Sequence, residues 1–246
     1  MNRWRSKPDV SWQEQAKKKA ASEAVNLVKD GDIVGLGSGS TAAFSIEEVG
    51  DRIQKEGLKI LGVPTSYQAF ILASAKAIPI TTLNEHPHLN IIIDGADQVD
   101  GALNLLKGRG GALTREKIVA SASQRKVYVV DETKITDRLG ANQSVPLEVL
   151  PFAYPTIMLK ITKMQGTPIL REASKKAGPV ITDNGNFVLD VDFGPINSPG
   201  ELSRDLKTIP GVVETGIFAQ MADIVYVGKR DLTVQRLKAQ RSNKNT

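Results

Sequence analysis

The sequence predicts an α/β fold: a parallel sheet with helices on both faces, followed by a smaller α+β module. Three observations carry this. Short β-type runs alternate with helical stripes from Trp12 to about Leu139. Three of those runs end directly in glycine-rich or acidic stretches, residues 37–41, 94–97 and 131–134. In open parallel sheets, ligands bind beyond the carboxyl ends of the strands, so the three stretches are expected along one edge. After Leu139 the texture changes, with three prolines in SVPLEVLPFAYPTIMLKI.

The elements follow in order. Apolar residues recur at Trp12, Ala16, Ala20, Ala24 and Val28, with Ala21, Val25 and Leu27 beside them, which is a helix stripe. DGDIVGLGSGST (30–41) is a turn, a short strand and a glycine-rich loop. AAFSIEEVGDRIQKEG (42–57) is a helix ended by Gly57. LKILGVPTS is a strand and turn, and YQAFILASAKA a helix. NIIIDGAD is a buried strand, LTREKIVASAS a helix, and KVYVVDETK a strand. Beyond it, DNGN (183–186) between two β-type runs is a hairpin signal. Strand, helix, strand, strand, helix, strand is the expected order there. AQMADIVYVGK then returns a strand to the first sheet. The expected division is residues 1–139 with 219–246 for the α/β unit and 140–218 for the module. No internal repeat is present.

Composition removes several chemistries. The 246 residues include no cysteine, so disulfides, thiol catalysis and iron–sulfur clusters are out. The only histidines, His86 and His88, read as a solvated loop, and zinc or copper chemistry is not expected. No run approaches the ~20 apolar residues of a membrane helix. The start, MNRWRSKPDVSW, has no apolar core of a secretory signal and reads as an extension without a role. A soluble, cytoplasmic protein is the expectation. The net charge of +5 lies largely in KKKA and in the tail from Gly228, which reads as solvated and frayed. No aromatic residues interleave these charges, so nucleic acid is not the expected partner; an anionic small molecule is.

Three motifs carry chemistry. GLGSGSTAA (35–43) follows a strand and opens a helix. Its glycines let backbone N–H groups approach an anion, and Ser38, Ser40 and Thr41 add hydroxyls, which suits a phosphate. It lacks the P-loop ending and the G-x-G-x-x-G spacing, so neither ATP hydrolysis nor dinucleotide binding is indicated. A plain capped turn is the alternative. DGAD places Asp94 and Asp97 at a strand end, around the small residues Gly95 and Ala96. Mutual repulsion would ease protonation of one carboxyl; a loop cap or a Mg²⁺ site are the alternatives. KGRGGALTREK offers Lys107 to neutralise an oxyanion, glycines at 108, 110 and 111 to expose N–H donors, and Glu116 early in a helix. A carboxylate base, a cation and nearby acids are what proton transfer beside a carbonyl needs. Arg115 and Lys117 read equally well as solvated charges.

These motifs, with VVDETK and IPGVVETGIF, stand in the order and at the intervals of one family. From about Lys17 to Lys229 the chain resembles the ribose-5-phosphate isomerase A family. The long Lys107-to-Glu116 motif is specific. The resemblance implies a Rossmann-like catalytic domain, a ferredoxin-like small domain, a homodimer or homotetramer, and no cofactor. It implies interconversion of D-ribose 5-phosphate and D-ribulose 5-phosphate through an enediolate in the non-oxidative pentose phosphate pathway. By position Glu116 would be the general base. Asp94 and Lys107 would assist ring opening and shift protons or charge at O1 and O2, and Asp97 would join the same cluster. Ser38, Gly39, Ser40, Thr41, Asp94, Gly95, Ala96, Asp97, Lys107, Gly108, Arg109 and Gly110 would line the substrate site, and Lys134 would hold the phosphate. Gln98 stands where members commonly carry an acid, and Arg109 where many carry glycine. A sugar-phosphate sensor, a coenzyme A transferase using a glutamate nucleophile, and a metal-dependent isomerase are the rival readings.

Overall fold

A computed structural model describes residues 11–239; most of the N-terminal extension and the last residues of the basic tail lie outside them. The first sheet has six strands: β1 (Ile33–Leu36), β2 (Leu61–Pro64), β3 (Leu89–Gly95), β6 (Ser123–Asp131), β12 (Ile224–Gly228) and β13 (Val234–Lys238). Their order is β13-β12-β6-β3-β1-β2, parallel except for β13. Helices α1 (Trp12–Val25), α2 (Gly39–Glu56), α3 (Tyr67–Ala75) and α4 (Leu113–Ala122) link or flank these strands. The stripe seen in the sequence buries Ala16, Ala20, Ala21, Ala24 and Val25 of α1. Its last turn tightens beyond Val25, and Val28 still reaches the core. Gly57 ends α2 in the left-handed conformation, with φ of 72°.

The second sheet is antiparallel, in the order β10-β7-β9-β8. Its strands are β7 (Val145–Val149), β8 (Thr167–Leu170), β9 (Phe187–Asp192) and β10 (Val212–Thr215), with α5 (Tyr154–Lys163) and α6 (Pro199–Lys207) between them. This is the expected strand, helix, strand, strand, helix, strand order, and the sheet order is that of a ferredoxin-like module. The DNGN segment makes a tight turn, closed by Thr182 N–H donating to Asn186 O. The run before it forms only isolated bridges, because β9 spends its edges on β7 and β8.

Two features depart from the sequence reading. A third sheet, β11-β5-β4, consists of two-residue strands: Gln98–Val99 (β4), Leu105–Leu106 (β5) and Ile217–Phe218 (β11). Such strands are too short to show a period. The tail from Gly228 is also not frayed throughout. A turn at Lys229–Thr233 folds residues 234–238 back onto β12, and Arg236 stacks 5.7 Å from the Tyr226 ring centroid.

Helix α1 precedes β1 and runs against the strands, so its first turns lie at their carboxyl ends. Gly228 makes this approach close: a Cβ there would collide with the Ala16 carbonyl. Gly228→Ala is therefore expected to destabilise the fold by about 1–3 kcal/mol. A denaturation midpoint unchanged from the parent would contradict that packing.

Candidate functional site

The parallel strands deliver three chain segments to one edge. The first is residues 37–41. Helix α2 begins at Gly39, not at Ala42, so Ser40 and Thr41 sit in its first turn, whose N–H groups have no intrahelical acceptor. Ser38 Oγ turns sideways to Thr65 and Ser66, at 2.7 and 2.5 Å, and Gln68 Oε1 accepts from Gly39 N–H at 2.8 Å. The loop is thereby fixed to the start of α3.

The second segment is the end of β3. Asp94 is fully buried. Its Oδ1 accepts from Ser38 N–H at 3.1 Å and from Gly95 N–H at 2.7 Å. Gly37 permits this contact, since a Cβ there would overlap the Asp94 carboxylate. The third segment ends β6. Asp131 caps the short turn Glu132–Lys134 by accepting from Thr133 N–H at 3.0 Å, which brings Lys134 to the cleft.

Lys107 enters from the small third sheet. Its backbone N–H donates to Gly216 O at 2.8 Å, immediately after β5. Its ammonium is only 3% exposed and lies between the rings of Tyr128 and Phe218, 5.8 and 5.6 Å from their centroids. It donates to Gly95 O at 2.5 Å and pairs with Asp94 Oδ2 at 3.1 Å and Glu116 Oε1 at 3.3 Å. Glu116 lies in the first turn of α4 and is 5% exposed. Its other oxygen, Oε2, has no hydrogen-bond partner among the described residues.

One cation thus serves two buried carboxylates. Burial drives the Glu116 carboxyl up to about 8, against the opposing pull of Lys107 and with the help of the Asp94 charge. Burial raises Asp94 as well. Burial alone would lower Lys107, but the charges of Asp94 and Glu116 outweigh it and hold the ammonium protonated. Glu116 is therefore a carboxyl whose titration is shifted up toward neutrality, beside a buried ammonium that stays charged.

These groups open on a cleft of about 450 Å³. Ser38, Gly39, Ser40, Thr41, Gly95, Ala96, Asp97, Lys107, Gly108, Arg109, Gly110, Glu116 and Lys134 all line it. Asp94 does not; it stands behind Lys107. Asp97 stands at the wall, where its Oδ2 accepts from Arg109 N–H at 3.0 Å. Gln98 points away: it accepts from Gly140 N–H at 2.8 Å and bonds Asn142, so the missing acid leaves no gap in the cleft. Arg171 holds the glycine loop through Gly108 O and Arg109 O, both at 3.0 Å, while pairing with Asp190.

Sequence reading missed several groups. Lys17 lines the cleft from α1 and approaches Asp131 at 3.5 Å. The signal was available: a helix that runs back before β1 carries its first turns to the ligand edge. Ser66, Gln68 and Thr182–Asp183 also reach the cleft and carry no motif. Arg115 and Lys117 are not solvated charges. Arg115 bonds Asn184 and Asp183 O, and Lys117 bonds Glu214, Thr215 O and Ile217 O.

The chain is similar in sequence and fold to known proteins. The family model for ribose 5-phosphate isomerase A (phosphoriboisomerase A) matches residues 61–232. The chain belongs to the ribose 5-phosphate isomerase A family. A ribose-5-phosphate isomerase A from Methanosarcina acetivorans is 50% identical over 225 residues, 92% of this chain and 95% of that protein. Among solved isomerases of the family, the one from Methanocaldococcus jannaschii is 45% identical with a TM-score of 0.88, covering 92% of this chain and 99% of its own. A D-ribose-5-phosphate isomerase in complex with phospho-erythronic acid is 44% identical, with a TM-score of 0.90 and the same coverage.

A stability prediction follows from Glu116. Its folded pKa lies above the ordinary 4.5, so the folded chain holds this proton more tightly than the unfolded chain does. The resulting stabilisation is full below about 4.5 and is lost as pH rises through about 8. Glu116→Gln cannot ionise and is expected to melt above the parent in mildly alkaline buffer. A variant that melts below the parent there would contradict the raised pKa.

Proposed function

We propose that this chain is an aldose–ketose isomerase that interconverts D-ribose 5-phosphate and D-ribulose 5-phosphate, with Glu116 as the general base. The observation that carries the roles is the Glu116 carboxyl itself. One oxygen is fixed on Lys107, and the other is buried at the cleft with no hydrogen-bond partner among the described residues. Family membership and the phospho-erythronic acid held by a relative support a sugar phosphate as ligand.

The chemistry follows from the geometry. The open-chain aldehyde has a weakly acidic proton on C2. Glu116 removes it, and the electron pair moves through C1 toward O1, giving an enediolate. The Lys107 ammonium faces the oxygens where charge develops; one preorganised donor of this kind is worth about 2.7–4 kcal/mol. Glu116 then delivers the proton to C1 while the O2 proton leaves and O1 gains one, so atoms and charge balance. Asp94 acts through Lys107, whose charge it sustains. Asp97, at the cleft wall, is placed to exchange protons with sugar hydroxyls and so to assist ring opening. The first turn of α2, with Lys134 and Lys17, forms the phosphate end: helix N–H groups and two ammonium groups meet there.

The catalytic unit in this reading is residues 1–139 with 219–246, and residues 140–218 are the smaller unit. A homodimer or homotetramer is part of the same reading, supported by exposed Phe152, Leu159, Ile71 and Ile169. A cytoplasmic location is proposed with it; no helix among the described residues is long and apolar enough to cross a membrane.

Purified protein treated with a chelator is expected to form ketose from ribose 5-phosphate. Glu116→Gln should lower kcat by about 10²- to 10⁴-fold with little change in KM. Near-parental turnover in that variant would remove Glu116 as the base. Lys134→Ala and Lys17→Ala should each raise KM more than they lower kcat, and an unchanged KM in both would refute the phosphate end.

A further inference from the structure

Glu148, on β7, is a fully buried carboxylate outside the cleft, and the proton-transfer chemistry makes no use of it. Its Oε1 gathers three side chains of one turn: Thr182 Oγ1 at 2.9 Å, Asn184 Nδ2 at 2.9 Å and Asn186 Nδ2 at 2.8 Å. This is the DNGN segment. Thr182 Oγ1 in turn accepts from the N–H groups of Asn184 and Asn186, both at 3.2 Å. A carboxylate removed from water and given three donors fixes the turn in one shape.

The outer side of the turn grips α4. Asn184 Oδ1 accepts from Arg115 Nε at 2.7 Å, and Asp183 O accepts from Arg115 Nη2 at 2.7 Å. The guanidinium also stacks 5.2 Å from the Tyr67 ring centroid, and Asp183 Oδ2 accepts from Tyr67 N–H at 2.8 Å. Asn184 therefore uses both ends of its amide, Nδ2 on Glu148 and Oδ1 on Arg115. Arg115 adjoins Glu116. Helix α4 needs such support: it has ten residues and an Ala112 N-cap that gives no side-chain cap bond. A helix so short is marginal without tertiary anchors.

We infer that Arg115 is a positioning residue, held by Asn184 and Glu148, which sets the register of α4 and so the place of the Glu116 carboxyl at the reacting carbon. The inference rests on Glu116 being the base. Misplacing a catalytic group by about 1 Å can cost about 10²-fold. Losing this grip therefore lowers the rate of proton transfer more than it weakens binding.

The test uses Asn184→Ala, an exposed position whose loss leaves Glu148 its bonds from Thr182 and Asn186, with Arg115→Met and the double variant. Each single variant is expected to lose about 10- to 100-fold in kcat, with KM changed by less than about threefold. The double variant should be no worse than the worse single, because both cut one linkage. With ribose 5-phosphate deuterated at C2, the isotope effect on kcat should rise in the variants as proton transfer becomes rate-limiting. A kcat within about twofold of the parent, additive losses, or a KM rise that accounts for the whole effect would each overturn the inference. A parent that turns over, with these variants unaffected, refutes the positioning role alone. A parent that binds ribose 5-phosphate without turnover refutes the base assignment, and this role with it.

Discussion

The site depends on one ammonium that three acceptors share in the protein interior. Lys107 meets Gly95 O, Asp94 and Glu116 within 3.3 Å. Two buried carboxylates cannot both be fully compensated by one cation, and burial raises both Asp94 and Glu116 above the usual carboxylate range. Had Glu116 a cation of its own, it would be an ordinary surface-like carboxylate, too weak a base. Had it no cation nearby, the oxyanion formed by its own action would find nothing to stabilise it. In the proposed mechanism the arrangement holds a base near neutrality and an electrophile side by side, at a cost in folding stability that is common at functional sites.

The fold is arranged to bring these groups together. Parallel strands β1, β3 and β6 end at one edge and carry the α2 loop, Asp94 and Lys134. The third sheet is too small to add much stability, yet it aims Lys107 across that edge. The antiparallel sheet contributes no proton-transfer group in the proposed mechanism. Its role is mechanical: Arg171 holds the glycine loop, Glu148 shapes the turn at Thr182–Asn186, and Lys117 ties α4 to the end of β10 and the start of β11 through Glu214, Thr215 O and Ile217 O.

The parallel layers were legible because their helices and strands are long enough to show a period and their motifs end on glycine or aspartate. The order of elements in the second unit was legible for the same reason, while its ferredoxin-like character came from the family resemblance. Strands β4, β5 and β11 were not, since two residues make no pattern. Lys17 was hidden inside KKKA, where charge alone does not tell a site from a solvated face; only the direction of α1 distinguishes it. Arg115 and Lys117 were ambiguous because their partners lie about 70 to 100 residues away in sequence. The DGAD motif pointed to Asp94, but its full burial behind Lys107 depends on tertiary packing, which the motif does not encode.

The most direct measurement of the central claim is solvent deuterium incorporation from D₂O into the pentose phosphates, comparing the parent with Lys107→Met. The account predicts that the parent places deuterium at C1 of the ketose and at C2 of the aldose. Lys107→Met should still bind ribose 5-phosphate while losing that exchange by at least the factor one oxyanion donor supplies, about 10²-fold. Exchange at the parental rate in Lys107→Met would show that the shared ammonium is not the electrophile, and the account of the site would fail.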